Sequence, residues 1–394
     1  MSARAAEPLV GVINAGSSSI KFSFYEAERP ILTGQVERIG AHPSASANGP
    51  DGEKLEPPDL GTTPPTVPSE VLPRILPWAR ERLSHRSLAA LGHRVVHGGM
   101  RYSRPARVTR ELLADLEKLV PLAPLHEPYN LAPIKMAMSL NPELPQVACF
   151  DTAFHRTAPE VEQAFALPYS FYEEGIRRYG FHGLSYEYFA SVLPDRAPDI
   201  ADGRVVVAHL GNGCSACAMR ARTSIATTMG FTALDGLPMG TRCGELDAGV
   251  VLHLIQQKGM SAEELVNLLY RRSGMLGLSG ISSDFRELLA SDDPRARFAI
   301  EVFCYRVAGH IGSLAAALGG LDGIVFTAGV GENAALVRST ICSACAWLGL
   351  ELDEIANREH QQRISKANSR VAAYVIKTDE NLMIARHARA LVGG

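Results

Sequence analysis

The sequence predicts an α/β protein of two duplicated domains with a nucleotide cleft between them, and three observations carry that expectation. With 394 residues and 46% hydrophobic content, the chain can fill two cores, because single cores stop growing beyond about 250–300 residues. Residues 9–25, LVGVINAGSSSIKFSFY, run apolar up to Ile13, then pass through Asn14 and five small residues before Ile20, Phe22 and Phe24 resume with period two. That pattern predicts a β-hairpin. Residues 204–220, RVVVAHLGNGCSACAMR, repeat the device with a Gly211-Asn212-Gly213 tip. The echo is one of type and not of residues. Read alone, either tip is an ordinary hairpin turn. As a pair heading two β-rich halves, their backbone N–H groups and hydroxyls suit phosphate oxygens.

Composition excludes several classes. A net charge of −3 gives no reason to expect a nucleic-acid partner. Residues 1–8 lack the apolar core of a signal peptide. Residues 307–321, the most apolar long stretch, are interrupted by His310 and glycines and are too short to span a bilayer, so no membrane is expected. Seven cysteines, an odd number, fit a reducing cytoplasm. Cys214/Cys217 and Cys342/Cys345 mimic a zinc site, but strand residues three apart face opposite sides, and the second pair falls on an apolar helix. Both pairs read as buried small apolar residues.

The elements follow in chain order. Residues 43–73 hold eight of the 24 prolines and no apolar period, which predicts a surface excursion. Helix is expected over 74–83, and a strand over 88–96 leads Arg94 into a glycine pair. Leu112, Leu113, Leu116, Leu119 and Val120 have helical spacing, with Thr109 as N-cap. Residues 124–128 read as a constrained loop before a helix over 133–140. A strand over 146–150 ends at Asp151, at a carboxyl end where α/β proteins place ligands. Residues 177–185 form a glycine-punctuated loop with two arginines and His182. Residues 227–249 fit no regular element, and loops of this length inside a compact domain are usually functional. Ser261 and Glu264 predict a capping box. A helix opens near Asp284, a long one covers 298–318, and a buried strand over 323–328 runs into Gly329-Val330-Gly331-Glu332-Asn333, with a helix from Ala334. Strand, glycine turn and helix N-terminus together suit a phosphate, although neither a dinucleotide fingerprint nor a P-loop is present. A strand over 371–376, a polar turn over 378–381 and a helix over 382–391 close the chain.

The chemistry-bearing residues are two loop arginines, Arg94 and Arg242, with His182 and Asp151. Guanidinium forks suit carboxylate and phosphate. Phosphoryl transfer asks for positioning and charge neutralisation around the transferred group. An alcohol acceptor also needs a base, whereas a carboxylate is already ionised near neutral pH. An arginine-rich, base-poor set therefore favours an acyl acceptor.

At these residues the sequence resembles the acetate kinase family, within the actin-, sugar-kinase- and Hsp70-like group. The matches are VINAGSSSIKF (12–22), GHRVVHGG (92–99), APLHEPYN (123–130), FDTAFH (150–155), RRYGFHGLSY (177–186), AHLGNGCS (208–215), MGFTALDGLPMGTRCGELD (229–247), SGISSDFRELL (279–289), AGVGEN (328–333) and TDENLMIA (378–385). They span nearly the whole chain in family order.

The resemblance implies two RNase-H-like domains, an N-terminal acyl-kinase domain over 1–150 plus 382–394 and a nucleotide-binding domain over 151–381. It implies that Arg94 and Arg242 grip the carboxylate and the phosphoryl group, that His182 donates to that group, and that Asp151 orients Arg94 or acts toward metal and substrate. It gives Asn14 and Glu380 to Mg²⁺, with Mn²⁺ as a substitute. It gives Lys21, the turn His209, Leu210, Gly211, Asn212 and Gly213, the group Asp284, Phe285 and Arg286, and the run Gly329, Val330, Gly331, Glu332 and Asn333 to ATP or ADP. Val96, Leu125, Phe181 and Ala233 would line the acyl pocket. The implied reaction is reversible transfer from ATP to acetate by a cytoplasmic homodimer, with propionate or butyrate as rival acceptors and a non-catalytic actin-like module as the rival from another class.

Read singly, several of these residues fit local roles equally well: Asp151, Asp284 and Asn333 as helix caps, Lys21 as a solvent-facing strand residue, Asn14 as an Asx-turn, His182 as a turn histidine. Two positions depart from the family pattern. Ala233 stands where the acetate-preferring pattern has proline, which loosens the acyl pocket toward propionate. Asn381 replaces a second acidic residue, which leaves the metal more dependent on Glu380 and water.

Overall fold

The computed structural model describes residues 8–393. Residues 1–7, most of the segment read as lacking a signal-peptide core, and residue 394, the end of the terminal helix segment, lie outside the described residues. The chain divides into two compact units, one reaching Ala153 and resuming at Asp379, the other running from Phe154 to Thr378.

The first unit contains strands β1 (Leu9–Ala15), β2 (Ile20–Glu26), β3 (Arg29–Glu37), β4 (Ser44–Asn48), β5 (Lys54–Leu55), β6 (Leu88–Val95), β7 (Ala106–Arg107) and β8 (Gln146–Phe150). They lie in one sheet in the order β5-β4-β3-β2-β1-β6-β8-β7. The expected hairpin is present: Ala15 pairs with Ile20, and the Gly16 N–H donates to the Ser19 carbonyl at 2.8 Å. β1, β6 and β8 run parallel, so they need crossovers, which helices supply. Helices Leu72–Arg82 and Glu127–Leu140 bury Ile75, Ala79 and Ala137 with Ile13, Phe22 and Leu91. The C-terminal helix Glu380–Val392 covers the alternate residues of β6, so closely that a Cβ on Gly92 would run into Ile384.

The second unit contains β9 (Arg204–Leu210), β10 (Cys214–Arg220), β11 (Thr223–Thr227), β12 (Gly323–Thr327) and β13 (Ala372–Val375), in the order β11-β10-β9-β12-β13. β9 is antiparallel to β10 and parallel to β12, which is parallel to β13. The same order and directions appear in β3-β2-β1-β6-β8. The duplication legible in the two hairpins thus extends through five strands of each unit, and the two RNase-H-like sheets are both present. Val205, Val207, Cys217 and Met219 on one face pack with Tyr186, Phe189 and Leu193 of helix Gly183–Arg196. Helix Pro294–Leu318 packs against the same sheet.

Four expectations need correction. Residues 43–73 are not merely a surface excursion: β4 and β5 extend the sheet, because edge pairing needs backbone groups and not an apolar period. The helix expected from Pro133 starts at Glu127, with Pro128 in its first turn and Pro133 inside it, so the first-turn proline was Pro128. Glycine run 329–333 is itself a helical turn, Ala328–Asn333, and the next helix starts at Ala335. The terminal helix starts at Glu380, capped by Asp379, whose side chain accepts from the Leu382 N–H.

Candidate active site

In the first unit the site grows from the carboxyl ends of three parallel strands. Ile13 pairs with His93, and Arg94 with Cys149. Asn14, Arg94 and Asp151, two residues past Cys149, therefore share the sheet face that carries the C-terminal helix. Arg94 grips Asp151 through both fork nitrogens, Nε at 3.0 Å and Nη2 at 2.5 Å from Oδ2. The Asp151 side chain is 1% exposed and that of Arg94 17%. Burial works against the Arg94 charge, but Asp151, Glu380 and Glu127 together hold its pKa above the ordinary value.

Two buried residues frame this pair. Asn130 donates to the Ala15 carbonyl at 2.6 Å and accepts from the Val96 N–H at 2.9 Å, tying the β1 end to the residue after β6. Glu127 accepts from the His97 N–H at 3.2 Å, while its Oε1 is buried without a hydrogen-bond partner. Burial pushes the Glu127 carboxyl up to about 8.

In the second unit the hairpin β9–β10 carries its own set of chemistry-bearing side chains. Ser215 pairs with His209, so both continue the face that is apolar at Val207 and Cys217. That face meets the start of helix Gly183–Arg196, where His182 sits at φ 57°, in the left-handed region. His182 stacks on His209 with ring centroids 4.4 Å apart, and its Nδ1 lies 2.8 Å from Ser215 Oγ. The loop over 228–247 reaches the same point. Met239 and Arg242 hydrogen-bond each other, Ser273 and Met275 donate to Thr241 and Met239, and Arg242 Nη1 donates to the Ala233 carbonyl at 2.6 Å. A Cβ built on Gly213 would lie 2.7 Å from Arg242 Nη2 and 3.4 Å from His182 Nε2. Guanidinium, imidazole and glycine tip thus converge where an anion can reach N–H donors.

Beside this point the second unit holds a cavity of about 770 Å³. Gly211, Asn212, Asp284, Phe285, Arg286, Gly329, Val330 and Asn333 line it. A lining that joins a glycine tip to helix starts suits phosphates and a ring system.

The comparisons with known proteins decide the lineage. The model of the acetokinase family matches residues 9–386. The chain belongs to the acetokinase family. The acetate kinase of Rhodopseudomonas palustris is 53% identical over 97% of this chain and 98% of its own length, and that of Rhizobium meliloti 50% over 97% and 98%. Among solved structures, the acetate kinase of Porphyromonas gingivalis superposes with a TM-score of 0.87 at 35% identity, covering 98% of this chain and 100% of that one. A propionate kinase from Francisella tularensis gives 0.89 at 36%, with 98% and 100% covered.

The acetokinase motifs are distributed between the two units. Arg94, Asp151, Asn14, Glu380, Lys21, Val96 and Leu125 belong to the first, and His182, Arg242, Phe181, Ala233 and the 209–213, 284–286 and 329–333 groups to the second. Lys21 is exposed and pairs with Asn14 across the β1–β2 hairpin. Val96, Phe181 and Ala233 are 2%, 1% and 9% exposed, and Leu125 is half-buried. Within the nucleotide group, His209, Leu210, Gly213, Gly331 and Glu332 do not line the cavity. His209 faces His182, Leu210 is core, and the Glu332 carboxylate turns back to accept from the Ala328 N–H at 2.9 Å. Asp284 is also a helix cap, accepting from the Arg286 N–H at 2.8 Å.

Sequence reasoning missed the supporting residues. Ser215, Tyr186, Asn130 and Glu127 lie inside recognised motifs, but their spacing there says nothing of what they touch. Arg338, fully buried, was missed altogether: its Nη1 donates to the Gly331 and Glu332 carbonyls at 2.9 Å each, and its Nε to Asn357 Oδ1 at 2.8 Å. Arginine after a helix start is too common for that role to be legible.

Proposed function

We propose that this acetokinase-family chain is an ATP:acetate phosphotransferase, moving the γ-phosphoryl group of ATP directly and reversibly to acetate and yielding acetyl phosphate and ADP. The observation that carries the reading is the convergence of Arg242 and His182 on Gly213, beside both Ala233 and the nucleotide cavity. The second unit holds ATP there, and Arg94 of the first unit binds the acyl acceptor.

The carboxylate acceptor brings no proton to remove. That agrees with a residue set of cations and a carboxylate, Asp151, already committed to Arg94. Arg242 and His182 stabilise the charge that develops on the transferred group, with Arg242 positioned through Ala233. Asp151 orients Arg94 so that its free edge neutralises acetate, and the two guanidinium groups offset the repulsion between two anions.

Mg²⁺ fits the donors of the first unit. Asn14 shares the sheet face of Arg94, and Glu380, at the start of the terminal helix, lies close enough to raise the Arg94 pKa. Such an oxygen-only set suits an ion that keeps several waters and takes only one or two carboxylates; Mn²⁺ suits it as well. Bound there, it would neutralise the β- and γ-phosphate oxygens. Among the described residues no cluster of three or more His, Cys, Asp or Glu is placed to hold a metal.

We further propose a homodimer in a reducing cytoplasm. Helix Ala248–Lys258 buries none of its residues although it presents Val250, Leu252 and Ile255, and Phe298 and Tyr305 are exposed on helix Pro294–Leu318. Those apolar side chains suit a second copy. None of the seven cysteines, all of them among the described residues, is joined in a disulfide. Among the described residues no helix is long and apolar enough to cross a membrane.

The test is kcat/KM for the C2, C3 and C4 acids with MgATP. Acetate is expected to lead; a preference for C4 would contradict the substrate.

A further inference from the structure

We propose that Tyr186 and Ser215 are positioning residues that lock His182 as a neutral ring with its proton on Nε2, the nitrogen facing Gly213 and Arg242. The inference deepens the phosphotransfer reading and rests on it for the effect on turnover, but the lock itself is a property of the free protein.

The protons run through three side chains. Tyr186 Oη lies 2.5 Å from Ser215 Oγ, and Ser215 Oγ lies 2.8 Å from His182 Nδ1. All three groups are in the second unit, and Ser215 and Tyr186 are fully buried. A phenol is far more acidic than an aliphatic alcohol, so in the short contact Tyr186 donates and Ser215 accepts. Ser215 has one proton of its own, and its other neighbour is His182 Nδ1. That nitrogen therefore accepts, and in a neutral imidazole the proton then sits on Nε2.

The backbone supports the same arrangement. His182 occupies the left-handed region at φ 57° and ψ 25°, a conformation that is strained for a non-glycine residue. Such strain persists where the surroundings over-determine it, and here the ring is held by the Ser215 bond on one edge and by stacking on His209 across its face. The β9–β10 register fixes both partners at once, because Ser215 and His209 are paired.

The chemical consequence is a division of labour. Arg242 already brings a full positive charge to the point above Gly213. A neutral N–H donor can approach the same phosphoryl oxygen without like-charge repulsion toward that guanidinium. His182 then donates a hydrogen bond without giving up a proton, which balances with an acceptor that releases none. With the other tautomer, an Nε2 lone pair would face a phosphoryl oxygen and repel it.

The experiment uses the full-length protein labelled with ¹⁵N-histidine, without substrates, at pH 8. Two-bond ¹H–¹⁵N correlations report the tautomer of each ring, and His182→Gln identifies the His182 signals. The expected result is Nε2–H for His182 in the wild type and a mixture with Nδ1–H in Ser215→Ala and, to a smaller degree, Tyr186→Phe. Ser215→Thr, which keeps the hydroxyl, should restore the wild-type pattern. In parallel, Ser215→Ala should lower kcat by about 100-fold, the scale of one misaimed transition-state donor, with KM for ATP within about twofold. A wild-type ring carrying its proton on Nδ1, or a Ser215→Ala ring still purely Nε2–H, would overturn the lock. A locked ring in a protein that forms no acetyl phosphate would support the lock and overturn the activity reading alone.

Discussion

Arg242 Nη2 and His182 Nε2 flank one point above Gly213, 2.7 and 3.4 Å from where a Cβ would stand. Gly213→Ala places a methyl group there. The tip can hold alanine only if the guanidinium shifts, and if Arg242 acts on the transferred group as proposed, a shift of about 1 Å costs on the order of 100-fold in rate. We expect kcat to fall by at least about tenfold while the melting temperature barely changes. Wild-type kcat in this variant would show that the point is not used.

Arg338 anchors the carbonyls of Gly331 and Glu332 to Asn357. Arg338→Met keeps volume but leaves buried acceptors unpaired, at a cost of about 1–3 kcal/mol each, and loosens the turn that borders the nucleotide cavity. The expected outcome is a KM for ATP raised about tenfold, the scale of 1.4 kcal/mol, with KM for acetate unchanged. Equal increases for both substrates would argue for general damage instead.

How far the sequence carries is clear from particular residues. The hairpins 9–25 and 204–220 were legible because strand period and small-residue tips are local signals, and their common topology follows from them. Arg94, Asp151, His182 and Arg242 stand out in the sequence as polar side chains in loops and at strand ends, and their catalytic roles are part of the proposal. Their partners do not stand out. The Ser215–His182 and Asn130–Ala15 contacts depend on strand register and on where a helix begins, which no local pattern encodes. The start of helix Glu127–Leu140 was misplaced for a related reason: with prolines at 124, 128 and 133, only packing decides which one opens the helix.

Glu127 gives a pH-dependent expectation. Its carboxyl, pushed up to about 8 by burial, keeps its proton in the folded state where the unfolded chain releases it near 4.5. Between those values the folded state binds more protons, so stability falls as pH rises through the window and levels off above about 8. Glu127→Gln cannot ionise. Its melting temperature relative to the wild type should therefore rise between pH 5 and pH 8.5. A gap independent of pH would mean that the carboxyl ionises normally.

Arg94 and Arg242 should separate in their kinetics. Arg94 is tied to Asp151, and with acetate bound there as proposed, Arg94→Ala should raise KM for acetate as well as lower kcat, whereas Arg242→Ala should act mainly on kcat. Identical effects on both parameters would contradict separate roles.

The central claim is that guanidinium groups let an ionised acid accept a phosphoryl group. It is tested most directly by measuring acetyl phosphate, trapped as the hydroxamate, alongside ADP from acetate and MgATP, for the wild type and Arg242→Ala, with ATP binding measured for both. The account predicts equal amounts of acetyl phosphate and ADP from the wild type, and a variant that binds ATP normally yet turns over at least about 100-fold more slowly. ADP formed without acetyl phosphate, or an Arg242→Ala protein turning over at the wild-type rate, would contradict it.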